Sequence, residues 1–522
     1  MNSVIRKVVI LLVLNGMLLS ACGTDLWGTY DAYPTSTPNP IGTVLANPVP
    51  TSTTLFIPLS TTQATTLPPS PTVTPSVVVT PGTPRSTILY SSQSGDSLEA
   101  VARHFDVQIL EISSLVSLPD TGLLNPNTLL VIPNRLAQTP TTTAEQIIPD
   151  SELVYSPSAQ SFDIEEYVSS AGGKLNTFRE PMSNGMITGA EGVKRMAFGS
   201  SISPRMLLAL IHYYTGWVQG TPIPGVDETY PLGYHDLQYP GLYQQLRLIV
   251  RDLLAGYYGW RDGKLTGLTF PDGTTLRLAP DLNAGTASLQ YMFSRHLNYA
   301  EWLQAIDPDT GFPALFTSMF GDPWGRAQEN GPLFPPDLTQ PPFTLPFEVG
   351  TLWSLTSGPH AAWEQESAWA ALDFAPAMNE PGCGESNAWV VAIASGQIVR
   401  SESGFVVLDL DGDGFEQTGW VVLHQHIATK DRIRVGTRVN AGDHIGHPSC
   451  EGGLSTGTHL HIARKYNGEW VAAGDPLPFI MSGWTAHAGV QVRQGTLTKG
   501  DRTITESPVG SHESQIIRLP GE

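Results

Sequence analysis

Charge is scarce in this chain. Only 15% of its 522 residues are Asp, Glu, Lys or Arg, and 28 basic residues face 48 acidic ones for a net charge of -20. No block of like charge is basic, so the cationic footprint of a nucleic-acid binder is missing and no nucleic acid is expected as partner. Long apolar runs are scarce too. The run from Val8 to Leu19 is interrupted by Asn15 and Gly16 and falls well short of the roughly 20 residues that cross a bilayer. Cysteine is limited to three positions. What the chain has instead is 43 Pro and 51 Gly, which mark long stretches that never pack, and 41% apolar residues that build cores elsewhere. At about 150 residues per domain, this length implies roughly three domains joined by linkers.

Arg6 and Lys7 precede the short apolar run, so residues 1–21 read as an export signal. Leu19-Ser20-Ala21-Cys22 resembles the lipobox of bacterial lipoproteins. The resemblance implies cleavage before Cys22, acylation of that residue, and an extracytoplasmic protein anchored to the membrane and facing the cell wall. With Cys22 lipidated, Cys383 and Cys450 remain as one even pair in an oxidising compartment, where a disulfide is expected. Residues 22–85 read as a stalk. From Pro34 to Pro84 there is no charge, and 12 Pro, 14 Thr and 5 Ser leave nothing to form a core. At about 3.1 Å per residue, such a segment reaches on the order of 150 Å.

Ordered sequence begins near Ser86. YSSQSGDSLEAVARHFDVQILEISSL followed by LLNPNTLLVIP predicts a strand, a Gly-Asp turn, an amphipathic helix, a second helix and a closing strand. The Ser94-Gly95-Asp96-Ser97-Leu98 start and the Leu129-Leu130-Val131-Ile132-Pro133 end resemble the lysin motif over residues 86–136. Val116-Ser117 departs from the family's usual Leu-Asn. The resemblance implies a small βααβ fold whose two strand-to-helix loops bind the glycan of peptidoglycan.

A linker at 137–150 leads into a mostly helical domain, 151–334. Ser203 and Pro204 read as a helix start, MLLALIHYYTGW carries that helix on, and further helices are expected from Gly241 to Tyr257 and from Ala284 to His296. KLTGLTFPDGTTLRLA reads as a hairpin around Pro271-Asp272-Gly273. Tyr214-Thr215-Gly216-Trp217 vaguely resembles a segment of lysozyme-like domains, but the carboxylic acid that glycoside cleavage needs is absent. Its aromatics, including Tyr257, Tyr258, Trp260 and Trp302, are expected in the core.

Beyond a Pro-rich joint at 335–346 the chain becomes β-rich, with AWVVAIA, GQIVRSES, GFVVLDLD and GWVVLHQHIA at strand length between Gly-containing turns. An antiparallel all-β domain is expected over 347–487, with 488–522 as a polar tail. The chemistry concentrates here. His360, Asp373, the pair His424 and His426, and the pair His459 and His461 fall in one window, and residues two apart on a strand share a face. His and carboxylate ligands with one open position are what a catalytic zinc needs. Asp409, Asp411 and Asp413 with Gly414 imitate a calcium loop, but Trp420 stands at the twelfth position, so a hairpin turn is expected.

AGDHIGHPSCEGGLSTGTHLHIARK, together with Leu372-Asp373-Phe374 and VVAIASGQIV, resembles the lysostaphin-type zinc metalloendopeptidases over about Phe347 to His487. The resemblance implies zinc ligands His360, Asp373 and His461, a general base at His459, and a second catalytic position at His426. His424 stands where that family commonly has Tyr and is left out of the set. Twelve residues separate His360 from Asp373, against three in the commoner pattern. The implied activity is cleavage of peptide bonds in peptidoglycan; the alternative is a non-catalytic wall-binding or hydrolase-regulating lipoprotein.

Overall fold

The computed structural model describes residues 87–182, 185–364, 366–377 and 382–522. The segments expected as export signal and stalk, and Cys22 expected as a lipidation site, lie outside the described residues.

Strict alternation builds the first module. Strands Thr87–Ser91 and Leu129–Pro133 pair antiparallel, and Leu130 and Ile132 point inward while their neighbours do not. The helix Leu98–Phe105 covers them, capped by the Ser97 side chain on Ala100 N–H and ended by Asp106 in the left-handed region. The expected second helix is corrected: Ile109–Glu111 form a single 3-10 turn, followed by a short strand, Ser113–Ser114. β-branched Ile109 and Ile112 disfavour helix, and the Ser114 hydroxyl bonds Leu129 O instead.

The three helices and the hairpin expected in the helical region are present, together with helices the sequence reading did not name, Gly189–Ser200 among them. Helices run over Gly189–Ser200, Pro204–Thr215, Leu242–Arg261 and Ala284–Ser294, and the hairpin strands Gly267–Thr269 and Thr275–Arg277 flank Gly273 at φ 84°. Pro204 opens its helix, though the Ser203 hydroxyl makes no capping bond. Tyr257, Tyr258, Trp260 and Trp302 are buried in the core. The two segments expected as linkers are packed rather than free: Ile147, Ile148, Phe343 and Leu345 are all buried.

A nine-stranded antiparallel sheet dominates the C-terminal part. Its order runs Arg438–Val439, Gly396–Glu402, Phe405–Asp409, Trp420–Gln425, Leu460–Tyr466, Ala371–Pro376, Leu352–His360 and Gln515–Ile517, with Glu469–Trp470 paired onto the fifth. The expected polar tail is corrected too. Trp484–Ala488, Gly495–Lys499 and Arg502–Thr505 form a second sheet with Ile480–Met481, and Gln515–Ile517 closes one edge of the first. Trp484, Ala486, Leu497, Ile504 and Ile516 are buried there, most of them alone among polar residues that hide the pattern in a short read.

The two faces of the large sheet serve different cores. Leu372, Phe374, Val406, Val422, Leu460 and Ile462 face Phe479, Met481 and Trp484 of the β domain. Ala371, Val407, Val421, Leu423 and Ala463 face the helical region and join its core. Polar contacts reinforce that seam: Tyr257 Oη donates to Glu469 Oε2 at 2.7 Å, and Ser201 Oγ to Gly468 O at 2.7 Å.

The N-terminal module is docked as firmly. His104 stacks on Trp260 at 3.7 Å, and Arg277 donates to the carbonyls of Arg103 and His104. The loop ahead of its helix is engaged through Gln93 on Asp281 O and Leu282 O and through Ser94 on Phe334.

Candidate metal centre

Strand register assembles the site. Asp373 pairs with His461, and Ser357 pairs with Asp373, so all three lie on the sheet face that meets the helical region. Register shifts after Leu355 and Ser357 bend the strand and deliver His360 to the same spot. His360 Nε2 lies 3.1 Å from His461 Nδ1 and 3.2 Å from Asp373 Oδ1, and His461 Nδ1 lies 3.1 Å from Asp373 Oδ1. Three donor atoms on a common ion at about 2.0–2.1 Å stand roughly 3.3 Å apart in tetrahedral geometry, so this donor set fits zinc. All three side chains are buried. Burial opposes charge on Asp373, but the neighbouring His360 and His459 outweigh it and hold its carboxyl well below the usual range.

The far side of each of the two imidazoles is also held. His360 Nδ1 is 2.9 Å from Gly358 O and 3.1 Å from Ser357 Oγ, while His461 Nε2 is 3.4 Å from Ala362 O. Such partners fix ring orientation and tune basicity. Ala362 belongs to the long insertion between His360 and Asp373. That insertion lies on the helical region, where Arg247 Nε bonds Glu364 Oε1 at 2.7 Å and Lys264 sits over Trp369.

His459 and His426 border the ligands without joining them. His459 Nδ1 is 2.8 Å from Gly457 O. A carbonyl only accepts, so Nδ1 donates in that contact, and Nε2 lies 3.8 Å from Asp373 Oδ1. His426 Nδ1 is 2.8 Å from Glu451 O, and its ring lies 4.4 Å from that of His459. Burial first, then the neighbouring His459 and His461, push the His426 imidazole well below its ordinary pKa.

The second His-X-His pair does not share a pocket, which corrects the expectation from strand alternation. The strand ends at Gln425, and His426 takes a left-handed backbone, φ 65°, that swings it to the metal side. His424 pairs with Val406 and Ile462, on the opposite face. Burial lowers its pKa to about 4, against a backbone contact at Val406 that raises it. Asp409, Asp411 and Asp413 form a hairpin turn whose carboxylates accept from Gly412, Gly414, Phe415 and Thr418 within the turn.

Cys383 and Cys450 are joined in a disulfide across 67 residues. It ties the loop of Gly382 and Gly384, which accept from Thr458, to the segment of Ser449 and Glu451, which meet His459 and His426. Closing a loop that long stabilises a fold by about 2–4 kcal/mol. Replacing both cysteines with serine should lower unfolding free energy by that amount in a denaturant titration. The unreduced chain starting after Cys22 should show no free thiol.

Sequence reasoning missed the Ala362 carbonyl, the helical cover on the metal face, and Arg493, which donates to Asp373 Oδ2 at 3.3 Å. No local pattern marks any of them, because each acts across a long separation in sequence.

With this geometry in place, the chain can be compared with known proteins. Residues 146–332 match the family described as LasA, N-terminal domain. Two proteins named protease LasA, from two strains of Pseudomonas aeruginosa, are 26% and 25% identical over 348 residues, spanning 62% of this chain and 74% of theirs. Among solved structures, the M23 metalloprotease pseudoalterin from the deep sea is 21% identical, with TM-score 0.28, over 32% of this chain and 96% of its own. The catalytic domain of lysostaphin from Staphylococcus simulans is 24% identical, with TM-score 0.17, over 23% of this chain and 87% of its own.

Proposed function

We propose that this chain is a zinc metalloendopeptidase that cuts peptide bonds in the cross-links or stem peptides of peptidoglycan. The observation that carries the reading is the convergence of His360 Nε2, Asp373 Oδ1 and His461 Nδ1 to within 3.2 Å of one another, with two further histidines at the rim. Zinc held by these three residues would act as a Lewis acid on the scissile carbonyl. The remaining work falls to the chain. His459, its Nδ1 bonded to Gly457 O, takes the proton from the attacking water on Nε2. Asp373, 3.8 Å away, stabilises the imidazolium that forms. His426 is assigned to the charge that grows on the carbonyl oxygen. The similarity to the LasA proteases supports a peptidase.

A lipid anchor at Cys22, facing the wall across the stalk, and glycan binding by residues 86–136 are parts of the same proposal. The test is digestion of purified peptidoglycans of known cross-link chemistry, with fragments identified by mass. New amino termini within a cross-link or stem are expected, lost on adding a zinc chelator and restored by zinc. Intact peptides under all three conditions would overturn the proposal.

A further inference from the structure

The C-terminal hairpin reaches the metal site through one residue. Arg493 lies in the turn between strands Trp484–Ala488 and Gly495–Lys499. Its Nη1 donates to Asp373 Oδ2 at 3.3 Å. Its main chain meets the strand that leads to His360: Gly358 N–H donates to Arg493 O at 2.7 Å, and Arg493 N–H donates to Pro359 O at 3.1 Å. The approach is close enough that a Cβ on Gly358 would stand 2.5 Å from Gly495 N. One residue is thus bonded both to the Asp373 carboxylate and to the segment immediately before His360.

Two features separate this contact from ordinary packing. Arg493 sits at φ 72°, in the left-handed region that side chains other than Gly seldom occupy. Such a conformation persists where surrounding contacts over-determine it, and it clusters at functional sites. Its side chain is also 64% exposed, so burial of apolar surface does not account for its position. The Asp373 carboxylate is meanwhile divided between two environments. Oδ1 faces His360 and His461, and Oδ2 faces the guanidinium.

We propose that Arg493 is a positioning residue of the metal centre, holding Asp373 so that Oδ1 is presented to zinc while its backbone braces the segment of His360. This rests on the reading of His360, Asp373 and His461 as zinc ligands. Outer partners of metal ligands typically contribute about 10- to 100-fold in metal affinity, and a guanidinium across from a ligating carboxylate is such a partner.

Arg493→Gly separates side chain from backbone, because glycine accepts φ 72° without strain. Arg493→Lys keeps a cation and a donor. Zinc affinity is read by chelator competition on the chain starting after Cys22, with thermal unfolding of the zinc-free protein and with kcat and KM at saturating zinc. Arg493→Gly should bind zinc about 10- to 100-fold more weakly with an unfolding midpoint at or above wild type. Arg493→Lys should recover part of the loss, and KM should stay within about twofold of wild type in both, since a positioning residue does not touch substrate. Wild-type zinc affinity in Arg493→Gly, or a raised KM with zinc affinity intact, would overturn the inference alone. A wild-type chain that takes up no zinc would overturn the ligand reading, and this inference with it.

Discussion

His461→Ala should lose zinc and activity together, whereas His459→Ala should keep near-stoichiometric zinc while turnover falls by about 10²- to 10⁴-fold. The two residues are neighbours on one strand end, yet the structure gives them different surroundings. His461 Nδ1 stands 3.1 Å from both His360 Nε2 and Asp373 Oδ1, inside the donor triangle. Removing it leaves two protein ligands, which rarely hold zinc in a catalytic geometry. His459 Nε2 stands 3.8 Å from Asp373 Oδ1, beside the triangle rather than in it. Its loss removes a proton acceptor and leaves the three donors in place. Elemental analysis of the two variants, paired with a cross-link cleavage assay, reads both quantities. Zinc lost from His459→Ala and kept by His461→Ala would reverse the assignment.

The candidate donors could be picked out because zinc chemistry restricts residue type, and two His-X-His pairs with a nearby Asp stand out in any reading. Which member of each pair faces the metal was only half legible. His459 and His461 follow strand alternation, but His426 leaves it at φ 65°, a backbone state no spacing rule announces. The helices of the middle region were legible from periodicity and from Pro204. Their placement was not. Ala371, Val421 and Ala463 read as unremarkable strand positions, and only the register with Asp373 and His461 shows that they surround the metal face and receive the helical core. The C-terminal hairpin escaped for a related reason: its buried residues come in ones and twos, and Arg493 gains meaning only from Asp373, 120 residues earlier.

Arg261→Met should destabilise the chain by about 3–5 kcal/mol, the usual result of stranding one partner of a buried ion pair. This guanidinium joins all three modules. Nε donates to Glu469 Oε1 at 2.8 Å in the β domain, and Nη2 donates to Glu469 Oε2 at 3.0 Å and to Asp150 Oδ2 at 2.9 Å at the start of the helical region. Nη1 donates to Ser94 O of the N-terminal module at 2.5 Å. Without it Glu469 is left buried, with Asp150 nearby and Tyr257 Oη as its remaining donor. Burial already raises the Glu469 pKa against the pull of Arg261, and removing that cation raises it further. The sign of the pH dependence follows. A carboxyl with a raised folded-state pKa destabilises the fold above its unfolded-state pKa and ceases to do so once protonated. The gap between wild type and Arg261→Met should therefore be widest at neutral pH and narrow on acidification. Arg261→Met combined with Glu469→Gln should recover much of the loss at pH 7, because the more deeply buried carboxylate is then neutral and Asp150 still accepts from Asn283 and Gly285. Urea titrations of the three proteins at pH 7 and pH 5 test this. A loss below about 1 kcal/mol, the range of an exposed pair, would show that the junction is solvated and that the three modules are not joined through Arg261.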